Sequence, residues 1–274
     1  MEQVSAERVL KTPMFNKKTL KILLILIFAI ILLGGVYVAA KKAYFAYQYD
    51  VTHSDIVEIS LDEIETPKSA PVVEEEIEEP AISAYSGSIN LDIQFYSQAP
   101  YADWSLPYQE ACEEASLILA YNFVSGISMT KEEFHTELLA LIDWETSYFG
   151  SYEHTTIAQT AEILTGYYGF DDWEILTDPT VDDLKVEIAK GNPIVAPFAG
   201  RLLGNPNYTG LGPLYHMMVL KGFDDSNIIT NDVGTRNGHN YQYSHEVLMD
   251  ALHDWDDIDI SFGEKNVLVL TAGD

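Results

Sequence analysis

Four residues of this 274-residue chain could share one reaction: Gln98, Cys112, His216 and Asp232. Cys112 is the only cysteine, so no internal disulfide is open to it, and its thiol is either small buried filler or a reagent. It sits in Pro107-Tyr-Gln-Glu-Ala-Cys-Glu-Glu-Ala-Ser-Leu-Ile-Leu-Ala-Tyr, where Pro107 suits a first helical position and the alanines and leucines favour helix. The thiol therefore falls in the first turn or two of a helix. There the unpaired backbone N–H groups and the helix dipole favour a thiolate, which is the nucleophilic form. A pKa below the roughly 8.5 of a free cysteine is expected. Glu110, Glu113 and Glu114 oppose that lowering, but 113 and 114 should point about 100° and 200° away around the helix and so reduce it without cancelling it.

A thiolate needs a base. Of the seven histidines, His53, His135, His154, His239, His245 and His253 read as ordinary polar side chains in the acidic segment, beside helices or in a turn. His216 differs, because it follows the glycine- and proline-rich stretch 200–213 and opens the apolar run Met217-Met-Val-Leu-Lys-Gly-Phe. Folding that strand against 227–232 about residues 224–226 sets His216 opposite a position near 232–235. Asp232 then lies across from it or on the adjacent diagonal, within side-chain reach. An aspartate there can hold the imidazole tautomer and leave the other ring nitrogen for the thiol; its alternative task is to cap the turn Asp232-Val-Gly-Thr. An acyl-transfer site also needs donors for an oxyanion. The backbone N–H of Cys112 is one, and a side-chain amide could come from Gln98 or from Gln109. No cofactor and no metal are expected: there is no His-Glu-x-x-His, and Asp254-Trp-Asp-Asp-Ile-Asp259 lacks the glycine of a calcium loop.

The elements that must position these residues follow from periodicity and capping. Leu91 to Tyr96 alternates like a strand. Helices are predicted from the cysteine to about Val124, from Lys131 to Ile142 behind a Thr130 cap, from Thr155 to Tyr168, from Val181 to Lys190 behind Thr180, and from Glu246 to Leu252 behind Ser244. Strands are predicted at Trp173 to Leu176, Pro193 to Phe198, His216 to Phe223, Asn227 to Asp232, Tyr241 to Tyr243 and Asn266 to Thr271. Helices come first and an antiparallel sheet follows, an α+β layout for a domain spanning 89–274.

Charge and hydropathy divide the remainder. The formal net charge is −28, and it is carried by residues 43–274, since 1–42 hold seven Lys/Arg against two Asp/Glu. An acidic body repels polyanions, so nucleic acid is excluded as a partner. Ile22 to Ala40 is a 19-residue run without a charge, about 28 Å as helix, close to the thickness of a bilayer's hydrocarbon core. Five basic residues precede it and two follow. The expectation is a single-pass cell-membrane protein with a cytoplasmic tail at 1–21, a lipid-spanning helix at 22–40 and the catalytic domain extracellular. Residues 41–88, acidic and proline-containing, are expected to be a stalk.

The motifs Phe95-Tyr-Ser-Gln98, Ala111-Cys-Glu-Glu-Ala-Ser, Pro193-Ile-Val-Ala-Pro, His216-Met-Met-Val-Leu-Lys-Gly-Phe and Asn231-Asp-Val-Gly together resemble the papain-like cysteine peptidases. Within them the chain is most similar to soluble relatives of the double-glycine (bacteriocin-leader) peptidases. The resemblance covers roughly 89–274. It implies N-terminal helices packed on an antiparallel sheet, and peptide or amide hydrolysis through a thioester acyl-enzyme. It also implies Cys112 as nucleophile, His216 as base and acid, Asp232 as orienting residue and Gln98 as oxyanion donor. Many such relatives have glycine before the cysteine, where this chain has Ala111. The Gly-x4-Gly-Lys-Ser/Thr loop of the transporter ATPase fused to leader peptidases is missing, so no nucleotide is expected. Two rival functions fit the same residues: an inactive module that keeps the cleft to bind peptides, and an acyltransferase or cell-wall amidase of the same fold.

Overall fold

The computed structural model describes residues 87–271, together with Lys21 and Gly35. The chain divides into two units, residues 1–51 and 52–274. Of the first, Lys21 and Gly35 are described, both helical and exposed. The tail expected at 1–21, the lipid-spanning helix at 22–40 and the stalk at 41–88 lie almost entirely outside the described residues. Among the described residues, no helix is long and apolar enough to cross a membrane. The longest, Lys131–Tyr148, carries acidic side chains from its first turn to Glu145. The expected placement as a single-pass cell-membrane protein with an extracellular catalytic domain is therefore corrected.

The second unit holds five helices and seven strands among its described residues. In chain order these are β1 (Ile89–Asn90), α1 (Cys112–Val124), α2 (Lys131–Tyr148), α3 (Ile157–Ile163), β2 (Trp173–Thr177), α4 (Val181–Ala189), β3 (Ile194–Ala199), β4 (Tyr215–Phe223), β5 (Asn227–Asn231), β6 (Tyr241–Ser244), α5 (His245–Ala251) and β7 (Asn266–Leu270). The strands form one antiparallel sheet in the order β2-β7-β3-β4-β5-β6, with β1 beside β4. This is the expected α+β arrangement. β3 and β4 are buried at every position. α1 is the central helix: ten of its thirteen residues are buried, which requires apolar groups on all its sides. It packs on β4, where Ser116 Oγ donates to Met217 O at 3.1 Å.

Local signals place most helix starts. Thr130 with Glu133, and Thr180 with Asp183, form reciprocal capping boxes, and Ser244 accepts from Val247 N. α2 runs six residues past the expected Ile142, because nothing in Asp143-Trp-Glu-Thr-Ser-Tyr148 breaks a helix before Gly150, whose φ is +88°.

The expected strand Leu91 to Tyr96 is a second difference. Only Ile89 and Asn90 pair, with Phe223 and Gly222. Leu91 N then donates to Lys221 O, and beyond that point β3 occupies the same edge of β4, from Leu220 back to Tyr215. With the edge taken, the segment leaves the sheet while keeping Leu91 and Ile93 buried.

The pairing of β4 with β5 carries one extra residue. Phe223 faces Ile228 and Gly222 faces Ile229, but Leu220 faces Thr230 and Val219 faces Asn231, so Lys221 is a bulge. Extending the second register brings His216 across from Gly234, with Asp232 on the diagonal of the same face. Without the bulge His216 would face Thr235 and Asp232 would point to the other side of the sheet. Gly222 lets β1 close over this bulge. A Cβ there would stand 2.4 Å from Ile89 O and 2.9 Å from Asn90 Cα. Gly222→Ala is expected to destabilise the protein by about 1–3 kcal/mol, through forced backbone displacement. Calorimetry should then show a melting temperature several degrees lower; an unchanged value would mean that β1 is not held this closely.

Candidate active site

Cys112 is the first residue of α1 and is 5% exposed. The turn before it, Tyr108–Glu110, is a short 3-10 helix that delivers the thiol to a cavity of about 800 Å³. The same cavity is lined by Gln98, Gln109, His154 and His216. It thus brings together Cys112, His216 and both glutamine candidates, while Asp232 stands behind the imidazole.

The histidine side is tightly built. His216 Nε2 lies 2.8 Å from Asp232 Oδ1, and both residues are almost wholly buried. Burial alone would raise the Asp232 carboxyl. The His216 ring and hydrogen bonds from His216, Tyr243 and Tyr208 outweigh it and hold the carboxyl below its ordinary value. An ionised carboxylate can only accept, so Nε2–H is the donor and Nδ1 is the nitrogen left to serve a thiol. Oδ1 also accepts from Gly234 N at 3.1 Å. Oδ2 accepts from Asn205 Nδ2 at 2.8 Å, Tyr208 OH at 2.8 Å and Tyr243 OH at 2.6 Å. Burial and the charge of Asp232 push both tyrosine hydroxyls well up, so they remain donors. Tyr208 also packs edge-on against the imidazole, with ring centroids 5.5 Å apart. Gly234 is required by close approach: a Cβ there would lie 2.7 Å from His216 Cε1. Sequence reasoning missed Asn205, Tyr208 and Tyr243. The only trace of the first two was an Asn-Pro-Asn-Tyr run in a loop otherwise rich in glycine.

The cysteine side differs from expectation. The Cys112 thiol donates to Glu113 Oε2 at 3.0 Å; among the described residues it makes no hydrogen bond to His216. Burial, then the charge and hydrogen bond of Glu113, push the thiol well above its ordinary value, against a smaller opposite effect from the Met217 backbone N–H. The expected lowering is overturned because the thiol is buried and because Glu113 does not point away around the helix. Its carboxyl turns back onto the neighbouring sulfur.

Glutamine geometry is also specific. Gln98 is buried and its Nε2 donates to Tyr108 O at 2.9 Å and Gln109 O at 3.0 Å. Both amide hydrogens thus tie down the turn that leads to Cys112, and its Oε1 has no partner among the described residues. Gln109 is exposed and donates to Glu110 Oε1 at 3.1 Å. His154, read from sequence as an ordinary polar residue, lines the cavity and stacks on Trp255 at 4.0 Å.

The sequence profile of the Peptidase_C39 like family matches residues 90–259. A solved structure described as a C39-like peptidase from Bacillus anthracis aligns with 69% of this chain and 100% of its own, at 14% identity and a TM-score of 0.47. No curated protein matches the chain.

Behind the thiol lie two more buried carboxyls, Glu114 and Glu145, and among the described residues none of their four oxygens has a hydrogen-bond partner. Burial, then the charge of Glu113, pushes Glu145 up to about 9. Between its ordinary value of 4.5 and about 9, folded Glu145 keeps a proton that the unfolded chain gives up. Stability from this group is therefore complete below pH 4.5 and is lost as pH rises through about 9. The melting temperature of the parent should fall between pH 6 and 9.5, and Glu145→Gln should show a distinctly smaller fall. Equal falls would place the Glu145 proton in neither state.

Proposed function

We propose, for a chain that belongs to the Peptidase_C39 like family, that residues 89–274 form a cysteine peptidase whose nucleophile is Cys112. Membership in that family implies a peptide or protein substrate. The observation that carries the reading is the buried 2.8 Å contact between His216 Nε2 and Asp232 Oδ1, on the wall of the cavity that Cys112 also lines. In the reaction, Cys112 Sγ attacks the carbonyl carbon of the scissile amide and its proton passes to His216 Nδ1. The oxyanion forms beside the start of α1, where the Cys112 backbone N–H has no intrahelical acceptor. Gln98 adds a second donor once its amide releases one of the carbonyls of the preceding turn. Collapse returns the proton from Nδ1 to the leaving amine and leaves a thioester on Sγ. Water, deprotonated by Nδ1, then releases the acid and the free thiol. Asp232 holds the imidazole through Nε2–H and stabilises the imidazolium.

One observation favours a second reading, a module that binds peptides without cutting them. The thiol is hydrogen-bonded to a carboxylate and pushed up rather than down. A peptide library incubated with the full chain and followed by mass spectrometry separates the two. Cleavage is expected, with loss of about a thousandfold or more in Cys112→Ala and His216→Ala. Asp232→Asn should slow turnover by about a hundredfold or more, because the imidazole loses its orienting acceptor. Peptides that bind without cleavage, or cleavage that survives Cys112→Ala, would defeat the peptidase assignment.

A further inference from the structure

Glu113 is 2% exposed, yet among the described residues the ion pairs are Lys190 with Glu187 and His216 with Asp232, neither of which reaches it. A buried carboxylate without a cation must find hydrogens elsewhere. Glu113 finds the Cys112 S–H, 3.0 Å from its Oε2, its own backbone N–H and the backbone N–H of His154. Besides His154, whose backbone N–H it accepts, the titratable groups around it are carboxyls and tyrosines. Glu110 lies on the preceding turn, Glu114 on α1 and Glu145 on α2. Tyr152 stands on the loop before α3, and Tyr215 on β4 donates to Asp254 and to Thr155 O. The thiol proton thus has two possible acceptors, Glu113 Oε2 and His216 Nδ1, and at rest the carboxylate holds it.

Resting on the peptidase reading, we infer that Glu113 is a positioning residue for the nucleophile: its carboxylate holds the Cys112 proton and keeps the thiol latent until that negative charge is removed. Two consequences of the geometry support this. While Glu113 is ionised, forming a thiolate would put two anions 3.0 Å apart in a site removed from water. When Glu113 takes up a proton, it no longer needs the S–H, and the sulfur is left with the Met217 N–H and the cavity it shares with the imidazole. Burial pushes Glu113 up to about 7, the Cys112 hydrogen bond opposing, so the change falls near neutrality.

Iodoacetamide alkylation of Cys112 in the full chain, measured from pH 5 to 10, tests the inference. Glu113→Gln keeps an acceptor but removes the charge. Its labelling midpoint should fall by about one unit or more relative to the parent, giving about tenfold faster labelling at pH 7.5. Glu113→Asp keeps the charge but withdraws it by one methylene, and its midpoint should lie between the two. A Gln midpoint equal to the parent's overturns the inference; if only the Asp variant folds, an Asp midpoint equal to the parent's does the same. Adding His216→Ala to Glu113→Gln should abolish the gain, and a gain that persists would show that the sulfur is not handed to the imidazole. These midpoints need no peptide cleavage, so the inference can fail while cleavage stays dependent on Cys112, and the peptidase reading can fail while the midpoints shift.

Discussion

A carboxylate taken out of water must be met by donors, and Asp232 is met by five. They come from the imidazole on β4, the backbone of Gly234, the loop residues Asn205 and Tyr208, and Tyr243 on β6. That single side chain therefore ties together three strands and the glycine-rich loop. It also fixes which nitrogen of His216 carries hydrogen. Losing one donor leaves the others arranged for an anion, whereas losing the anion leaves five donors converging on nothing. The constraint runs one way, and the fold around His216 is built to respect it.

Behind the thiol the reverse principle holds. Glu113, Glu114 and Glu145 are buried with few hydrogens offered to them, and the last two have none from the described residues. Burial pushes all three upward: Glu114 and Glu145 stay in place by keeping protons, and Glu113 by accepting the thiol hydrogen. One side of the site thus holds a charge that is fully satisfied, and the other holds charges that are suppressed. A thiol in this setting is governed by how protons are shared among its neighbours more than by the dipole of the helix on which it rides.

Much of this arrangement was legible from residue order. The α+β layout and most helix caps follow from local patterns, since Thr130 and Thr180 act within their own first turns. The approach of Asp232 to His216 follows from counting along a hairpin. What could not be read depends on tertiary competition. Leu91 to Tyr96 alternates correctly but finds its edge of β4 already taken by β3. Helical geometry gives the direction of a Cα–Cβ bond, but the rotamer of Glu113 is set by what surrounds it, so its return to the thiol was invisible. Asn205, Tyr208 and Tyr243 are distant in sequence from Asp232 and meet it only through the closed sheet. The uncharged run at 22–40 is a clear compositional signal, yet no described helix could cross a membrane.

The bulge at Lys221 has a consequence for how this hairpin can vary in length. Residues added at the turn 224–226 enlarge a loop and leave both strands in place. A single residue lost between His216 and Lys221 is different, because side chains alternate and the pairing keeps its register only by giving up the bulge. With the bulge kept instead, His216 would face Val233 and stand on the opposite side of the sheet from Asp232. Among homologous chains, insertions and deletions in this hairpin should therefore gather at the turn, and a chain one residue shorter between 216 and 221 should have an unbulged β4.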